Sequence, residues 1–583
     1  MPRITSPRAC ARIGLLLGVA LAACAGNPAW AQHMDYDAGA GTSDEVSVGE
    51  GARDPASGGI GHRGHAARSA GGTGRTKISP YLQVSQNLLA QITPGNDVVT
   101  YTALAAGVDM TLAGRNTQGA VALRYERRFV EKGSMGSSDT VSGLARVKHD
   151  LVPRTLSVEA GAMAARTRVE ASGAASLNPV TISDAVSQVY SVYAGPALST
   201  HAGVVGINAS YMAGYTKLDN KHAYQATPSA PRVDVFDHSV SQSAQLSAGV
   251  KPGEVLPVGL TASTGFAQED ISNLDQRVRD LRAGLQATLP VTRDVALVGD
   301  VGWEKVTVSS RDAVRDVSGT PVVGSDGRYV TDHSGPRRIA YQTSGLTWDV
   351  GVMWRPSRRT SLSAYYGRRY DSSTYYGSFS YAPNARSALS ISVFDGISGF
   401  GSSVNDALKQ MPTDLETTRD PLSGGIGGCG IGQTSGACIN GALGSVASSV
   451  FRGRGVNATY GFRMGHLHAG IGAGYMRRKF IGARGTVLAS ANGTVDESYY
   501  VSAGLSGAID RRSSFSVNAY DAWFKAGSSA LANSNAYGAS ASYYRQLTDR
   551  LVGTAAVGLD GVNRQTLPDE LAASGLVGLR YNF

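Results

Sequence analysis

The stretch Gly575-Leu576-Val577-Gly578-Leu579-Arg580-Tyr581-Asn582-Phe583 closes the sequence, and its reading decides the fold. Val577, Leu579, Tyr581 and Phe583 fall on one face of a strand, while Gly578, Arg580 and Asn582 fall on the other. This is a period of two carried to the last residue. In water, a bare aromatic edge strand invites pairing with another chain. A sheet closed into a barrel in lipid has no free edge; its outward face must be apolar, and its lumen face is free to be polar. The same alternation would serve at the edge of a β-sandwich, so the rest of the chain has to discriminate.

Working outward, composition points the same way. Of 583 residues only 17% are charged and 42% are hydrophobic, with 73 Gly and 26 Tyr. No shift in composition divides the chain after about residue 75. Low charge with abundant small residues and Tyr suits strands that alternate between lipid and lumen. The formal net charge is +9, part of it carried by Arg3, Arg8 and Arg12 near the start. No Lys/Arg run marks a nucleic-acid face.

Residues 1–31 read as a secretory signal. The charged region holds the three arginines, Ile13 to Ala23 is apolar, and Ala29-Trp30-Ala31 is a small-x-small cleavage site. Leu21-Ala22-Ala23-Cys24 competes as a lipobox, which would leave Cys24 lipidated. No later apolar run reaches the about 20 residues a membrane helix needs, so membrane residence has to be as a barrel. Residues 32–76, rich in Gly, Ala, Ser, Asp and His and without periodicity, read as a disordered periplasmic tail. Cys429 and Cys438 lie close together in a Gly-rich stretch, the setting of a disulfide in an oxidising compartment. Two thiols with no nearby His are too few for structural zinc.

From Ile78 onward, segments of alternating polarity such as Ile78 to Ala90, Val98 to Leu112 and Ala120 to Val130 are separated by turn residues. Short turns recur at Leu151–Arg154, Pro252–Glu254, Pro290–Arg293, Arg355–Arg358, Ala382–Ala385, Asp510–Arg512 and Leu547–Arg550, rich in Pro, Asn and Asp. Between consecutive short turns lie two strands joined by a longer loop, near 169–186, 217–238, 308–337, 397–450 and 481–496. Short turns on one side and long loops on the other give a single antiparallel transmembrane barrel over 77–583. About 22 strands are expected, within 18 to 24, with both termini periplasmic and 397–450 a long extracellular loop.

Parity then assigns lumen-lining candidates. Arg124, Glu126 and Arg128 oppose Leu123, Tyr125 and Phe129; Arg146 shares a face with Lys148. Asp280, Arg282 and Gln286 oppose Leu281, Ala283 and Leu285; Asp300 and Glu304 oppose Val301 and Trp303; Asp349 opposes Trp348 and Val350. Mixed charge on the inner face fits either a solvated lumen or salt bridges that fill it. Trp303, Trp348, Trp354 and Trp523 suit interfacial girdles. Within the longest loop, Ser402 to Met411 has a helical pattern: Ser402 or Ser403 as cap, Val404, Leu408 and Met411 on one face, and Pro412 as stop. That loop is readable either as an inward constriction or as an outward lid; the absence of charge between Ser423 and Val450 favours the inward position.

Two resemblances rest on particular residues. The terminal aromatic pair Tyr581 and Phe583, with Val577 and Leu579, resembles the sorting signal read by the barrel assembly machinery of Gram-negative outer membranes. The run Trp354-Arg-Pro-Ser-Arg-Arg-Thr-Ser-Leu-Ser-Ala-Tyr-Tyr-Gly-Arg-Arg-Tyr370, with Tyr375-Tyr376-Gly377 and Arg386 to Ser392, resembles uncharacterised outer-membrane barrels found with exosortase/PEP-CTERM exopolysaccharide systems. Pro94 to Asp109 resembles relatives labelled preprotein translocase subunit YajC. That subunit is small with one membrane helix, which this sequence lacks, so the label is unsupported.

The resemblance implies a fold and a location: an outer-membrane barrel, with lipids and the assembly machinery as partners and no nucleic acid. Of the functions open to such a barrel, a channel for small polar solutes or polysaccharide comes first. A structural or surface-interaction barrel with a filled lumen is the alternative, and an accessory to protein export ranks lower. An enzyme is not expected. His201 and the pair His466 and His468, read as sharing one strand face, are available bases, but no Gly-x-Ser-x-Gly elbow accompanies them. No cofactor or metal is expected, and His33, His62 and His65 are scattered in the tail.

Overall fold

A computed structural model describes residues 76–583 apart from 134–135, 170–173, 177–185, 220–234, 385, 415–418, 426–428, 432–435, 528–532 and 566–567. The expected leader, Cys24 and nearly all of the expected tail lie outside the described residues. The fold is all-β, with 22 antiparallel strands in a closed ring. Each strand pairs with its sequence neighbours. The first, Lys77–Thr93, closes on the last, Glu570–Asn582, from Tyr81 opposite Asn582 to Thr93 opposite Leu571.

The ring is inside-out relative to a soluble sheet. Along the last strand Val577 is 69% exposed and Leu579 43%, with Phe583 beyond it at 65%, whereas Leu576 is 4% exposed. On the first strand Leu82, Val84 and Leu88 are exposed while Tyr81, Ser85 and Asn87 are buried. Apolar side chains facing out and polar ones facing in cannot be stable in water, where contiguous apolar patches of this size drive association. They are what a hydrocarbon surround demands.

The connections divide by end. At one end they are short, among them 114–116, 153–155, 291–294, 358–359, 465–466 and 547–550. At the other end stand all the long ones: 170–185, 220–237, 311–337, 399–450 and 481–494. Local chemistry makes the short turns. The Asn384 carboxamide oxygen accepts from the Arg386 amide at 2.7 Å, and the Asp510 carboxylate accepts from the Arg512 amide at 2.7 Å, so each side chain mimics a backbone turn. Tyr370 and Asp371 both take positive φ, the geometry of a two-residue hairpin that follows the strand twist.

The largest apolar cluster sits inside the ring. Phe400, Val404, Leu408, Met411, Ile439, Leu443, Val446 and Val450, all from the connection 399–450, pack against Val189, Tyr193, Leu218, Phe236, Ile271 and Val308. That connection leaves the end with the long loops and turns into the barrel.

One expectation about the long loop needs correction. The helix runs Phe400–Lys409, two residues earlier than the pattern placed it, and its N-cap is Gly399 rather than Ser402 or Ser403. The cap is supplied by the wall: the Glu269 carboxylate accepts from the amides of Gly399 at 2.7 Å and Ser402 at 3.0 Å. A tertiary partner thereby satisfies donors that local sequence leaves orphaned. The four tryptophans named above all stand on the exposed outer face, Trp354 and Trp523 near strand ends and Trp303 and Trp348 nearer the middle of Val295–Ser310 and Arg338–Ser357.

Candidate functional site: the inner wall and the loop within it

The third strand, Thr117–Lys132, carries Arg124, Glu126 and Arg128 on alternate positions. All three are buried, and they form a triad: Glu126 accepts from Arg124 Nη2 at 2.6 Å and from Arg128 Nε at 2.7 Å. Charge-assisted bonds of this length are strong in a dry setting, and they fix the geometry of both guanidinium groups. Arg128 also stacks over Tyr101 and donates to the Ser423 carbonyl at 3.4 Å. Next along the ring, Arg146 Nε donates to Glu159 at 2.9 Å, and the Tyr193 hydroxyl donates to the same oxygen at 2.8 Å. Lys148 is exposed near the short-turn end.

A second charged arc spans the tenth to fourteenth strands, Gln276–Pro290 through Ser372–Asn384. Arg282 stands opposite Glu304, and Gln286 opposite Asp300; Asp300 in turn stands opposite Asp349. Arg369 gathers the buried acids, donating from Nε to Glu304 at 2.5 Å and from Nη2 to Asp280 at 3.4 Å. Tyr376 donates to Asp349 at 2.7 Å. Directly opposed carboxylates repel, so the Asp300–Asp349 pair is a focus of negative potential that the two arginines offset. Sequence reading missed Arg369, Tyr376, Glu159 and Glu269. Parity contained the signal for Arg369, since its neighbour Arg368 faces outward with Trp348, its cross-strand partner.

The loop 399–450 is bound to the wall along much of its length. Asn405, on the buried helix face, accepts from Ser191 at 2.8 Å and donates to Thr216 and Ser241 at 3.3 Å. Arg419 donates to the Ser142 hydroxyl at 3.0 Å, and Ser142 donates to the Gly424 carbonyl at 2.7 Å. Asp420 accepts from Ser540 at 3.2 Å, while Leu422 packs on Ala556 and Leu576. Burial raises the Asp420 carboxyl above its ordinary range, against the bonds from the Leu422 amide and Ser540. The Cys429–Cys438 disulfide is formed and lies against Gly472 and Ser502 of the seventeenth and eighteenth strands. Arg478 donates to the Gly441 carbonyl at 2.6 Å, and Gln276 to that of Ser448 at 3.1 Å.

The candidate bases do not assemble. His466 lies in the turn 465–466, so it shares no strand face with His468 in Leu467–Phe480, a correction to the sequence reading. His201, at the end of Val186–Ala202, belongs to a different hairpin. Among the described residues no group of three His, Cys, Asp or Glu is arranged to hold a metal ion.

No protein-family model matches the chain, and no curated protein matches it either. Solved structures do resemble it. The FrpB iron transporter from Neisseria meningitidis (F5-1 variant, apoprotein form) is 11% identical over 87% of this chain and 81% of that one, with a TM-score of 0.41. The alcaligin outer membrane receptor FauA from Bordetella pertussis is 11% identical over 86% and 76%, TM-score 0.36. OccK5 (OpdH) from Pseudomonas aeruginosa is 9% identical over 87% and 98%, TM-score 0.28. Likeness at this level says nothing of a solute. The chain is an outer-membrane-type β-barrel on its own geometry: a closed ring, an apolar exterior and a polar interior.

Proposed function

We propose that the protein is an outer-membrane channel for polar solutes whose passage runs beside the charged arc of the tenth to fourteenth strands and is narrowed by the loop 399–450. One observation supports this above others. The loop's polar anchors include Ser142, Ser191, Thr216, Glu269, Arg478 and Ser540, and they touch the tenth strand at Gln276, its outermost residue, whereas Asp280, Glu304 and Asp349, deeper along the arc, bond to Arg369 and Tyr376 of their own arc. A charged wall facing a fixed constriction selects solutes by size and by wall charge. In this reading the short turns and both barrel termini are periplasmic and the long connections extracellular. The resemblance of Trp354–Tyr370 to exopolysaccharide-associated barrels extends the solute class to polysaccharide.

A second reading, a structural or surface-interaction barrel with a filled lumen, is favoured by the ion pair of Arg168 with Glu570. It ties the fifth strand to the last across the interior. Single-channel recording in a planar bilayer separates the two. The refolded protein should show steady, small conductance, and deletion of 424–445 should raise it and admit larger polar solutes. Silence from both proteins, with normal insertion, would sink the channel and leave the structural barrel.

A further inference from the structure

The outer surface of the sixteenth to nineteenth strands, Phe451–Met464, Leu467–Phe480, Val495–Ala508 and Ser513–Lys525, is layered. Tyr460, Ile471 and Val501 are exposed there, an apolar band. Toward the end with the long connections, Tyr475, Tyr499 and Trp523 stand directly opposite one another in a row. Two residues further, Arg454 stands opposite Arg477, Arg477 opposite Glu497, and Glu497 opposite Lys525. Two residues further again, Arg452 stands opposite Lys479. At about 3.4 Å per residue, the first cation row lies about 7 Å beyond the aromatic row.

Like charges directly opposite across a strand pair are destabilising, yet two such pairs, Arg454 with Arg477 and Arg452 with Lys479, are stacked here. Asp395 offsets one column: it accepts from Arg452 Nη2 at 2.7 Å and Arg454 Nε at 3.0 Å. Glu497 is engaged by Lys525 at 3.7 Å and by the hydroxyls of Tyr475 and Tyr499. Among the described residues, Arg477 and Lys479 form no ion pair. They face the side of the wall where lipid lies. Aromatic rows sit at headgroup level in membranes, so these cations stand at the depth of lipid phosphates. The guanidinium fork and the ammonium group both match phosphate oxygens.

We propose that Arg452, Arg454, Arg477 and Lys479 bind the phosphate groups of an outer-leaflet phosphoglycolipid, whose acyl chains lie along Tyr460, Ile471 and Val501. The leaflet, though not the site, rests on the extracellular placement of the long connections in the channel reading. An anion between the opposed cations removes their repulsion, which is why a lipid held here would also brace the wall beside the loop's exit.

The test is native mass spectrometry of the folded protein in zwitterionic detergent, titrated with bisphosphorylated lipid A, with dephosphorylated lipid A and with inorganic phosphate. Bisphosphorylated lipid A should be retained, and its affinity should fall on the order of tenfold or more in Arg477→Gln/Lys479→Gln. Heat-modifiable gel mobility reports folding, and Lys479→Gln alone serves if the pair does not fold. Equal retention of the dephosphorylated lipid, or unchanged affinity in the variants, would overturn the site. Displacement of lipid A by millimolar phosphate would overturn its assignment to a lipid. Val317, fully exposed in the connection 311–337, reports the leaflet: Val317→Cys should react with an impermeant maleimide on intact cells. Reaction only after permeabilisation would overturn the outer-leaflet assignment, while the titration decides the site independently.

Discussion

At the scale of one residue, the missing side chain at position 472 decides how near the loop lies to the wall. A Cβ built on Gly472 would fall 2.6 Å from the Cys429 sulfur and 2.8 Å from that of Cys438, well inside van der Waals contact. Both neighbours are held, the wall by its ladder and the sulfurs by their bond, so neither yields cheaply. Gly472→Val should therefore push the disulfide hairpin off the wall, at about 1–3 kcal/mol of overpacking, while the ring still forms. Reduction of the disulfide by dithiothreitol should become several-fold faster, since exposure governs attack. An unchanged reduction rate in a folded variant would mean the hairpin does not depend on this contact. No sequence pattern singles out Gly472 from the other Gly of that strand. Its role comes from a segment more than thirty positions earlier in the chain.

At the scale of the element, the loop 399–450 is held by polar anchors as well as its apolar face. Asp420 gives it a pH dependence. Its carboxyl binds protons more tightly when docked than in an exposed loop, whose value is near 3.8. The docked state therefore has its full share of stability from this group below about pH 4 and loses it as pH rises through the shifted titration. Backbone amide exchange across 436–450, corrected for intrinsic rates, should show weaker protection at neutral pH than in acid. Asp420→Asn should flatten that difference, and a variant with the parent's full difference would assign it to another group. The helical repeat of Val404, Leu408 and Met411 was legible, as was the neutrality of 423–450 that favoured an inward course. The cap was not, because Glu269 stands 130 positions before Gly399 and meets the helix only where the loop turns into the barrel.

At the scale of the whole molecule, the seam between first and last strands makes the ring a ring. The Phe583 amide donates to the Pro80 carbonyl at 3.1 Å, and the Phe583 ring lies edge-on to Tyr581 with centroids 5.1 Å apart. Deleting Phe583 removes that bond and the outermost aromatic of the closing strand. Folded, heat-modifiable protein in the outer-membrane fraction should fall several-fold, with the remainder degraded. An undiminished folded fraction would show that closure and assembly do not need this residue.

What the sequence determined by itself was the barrel, its strand number and the division of short and long connections. Period-two alternation and turn chemistry are local, and a closed sheet in lipid pairs each strand with its neighbour in the chain, so local order becomes global order. Inward and outward faces followed from the same parity, as Glu126 against Tyr125 illustrates. The tertiary structure alone decided which charges meet. Arg369 finds Glu304 and Asp280 across intervening strands, Arg168 finds Glu570 across the interior, and Arg477 is set against Arg454 by register. Such contacts depend on the stagger of the ring and on where a long loop comes to rest, and neither leaves a periodic trace along the chain.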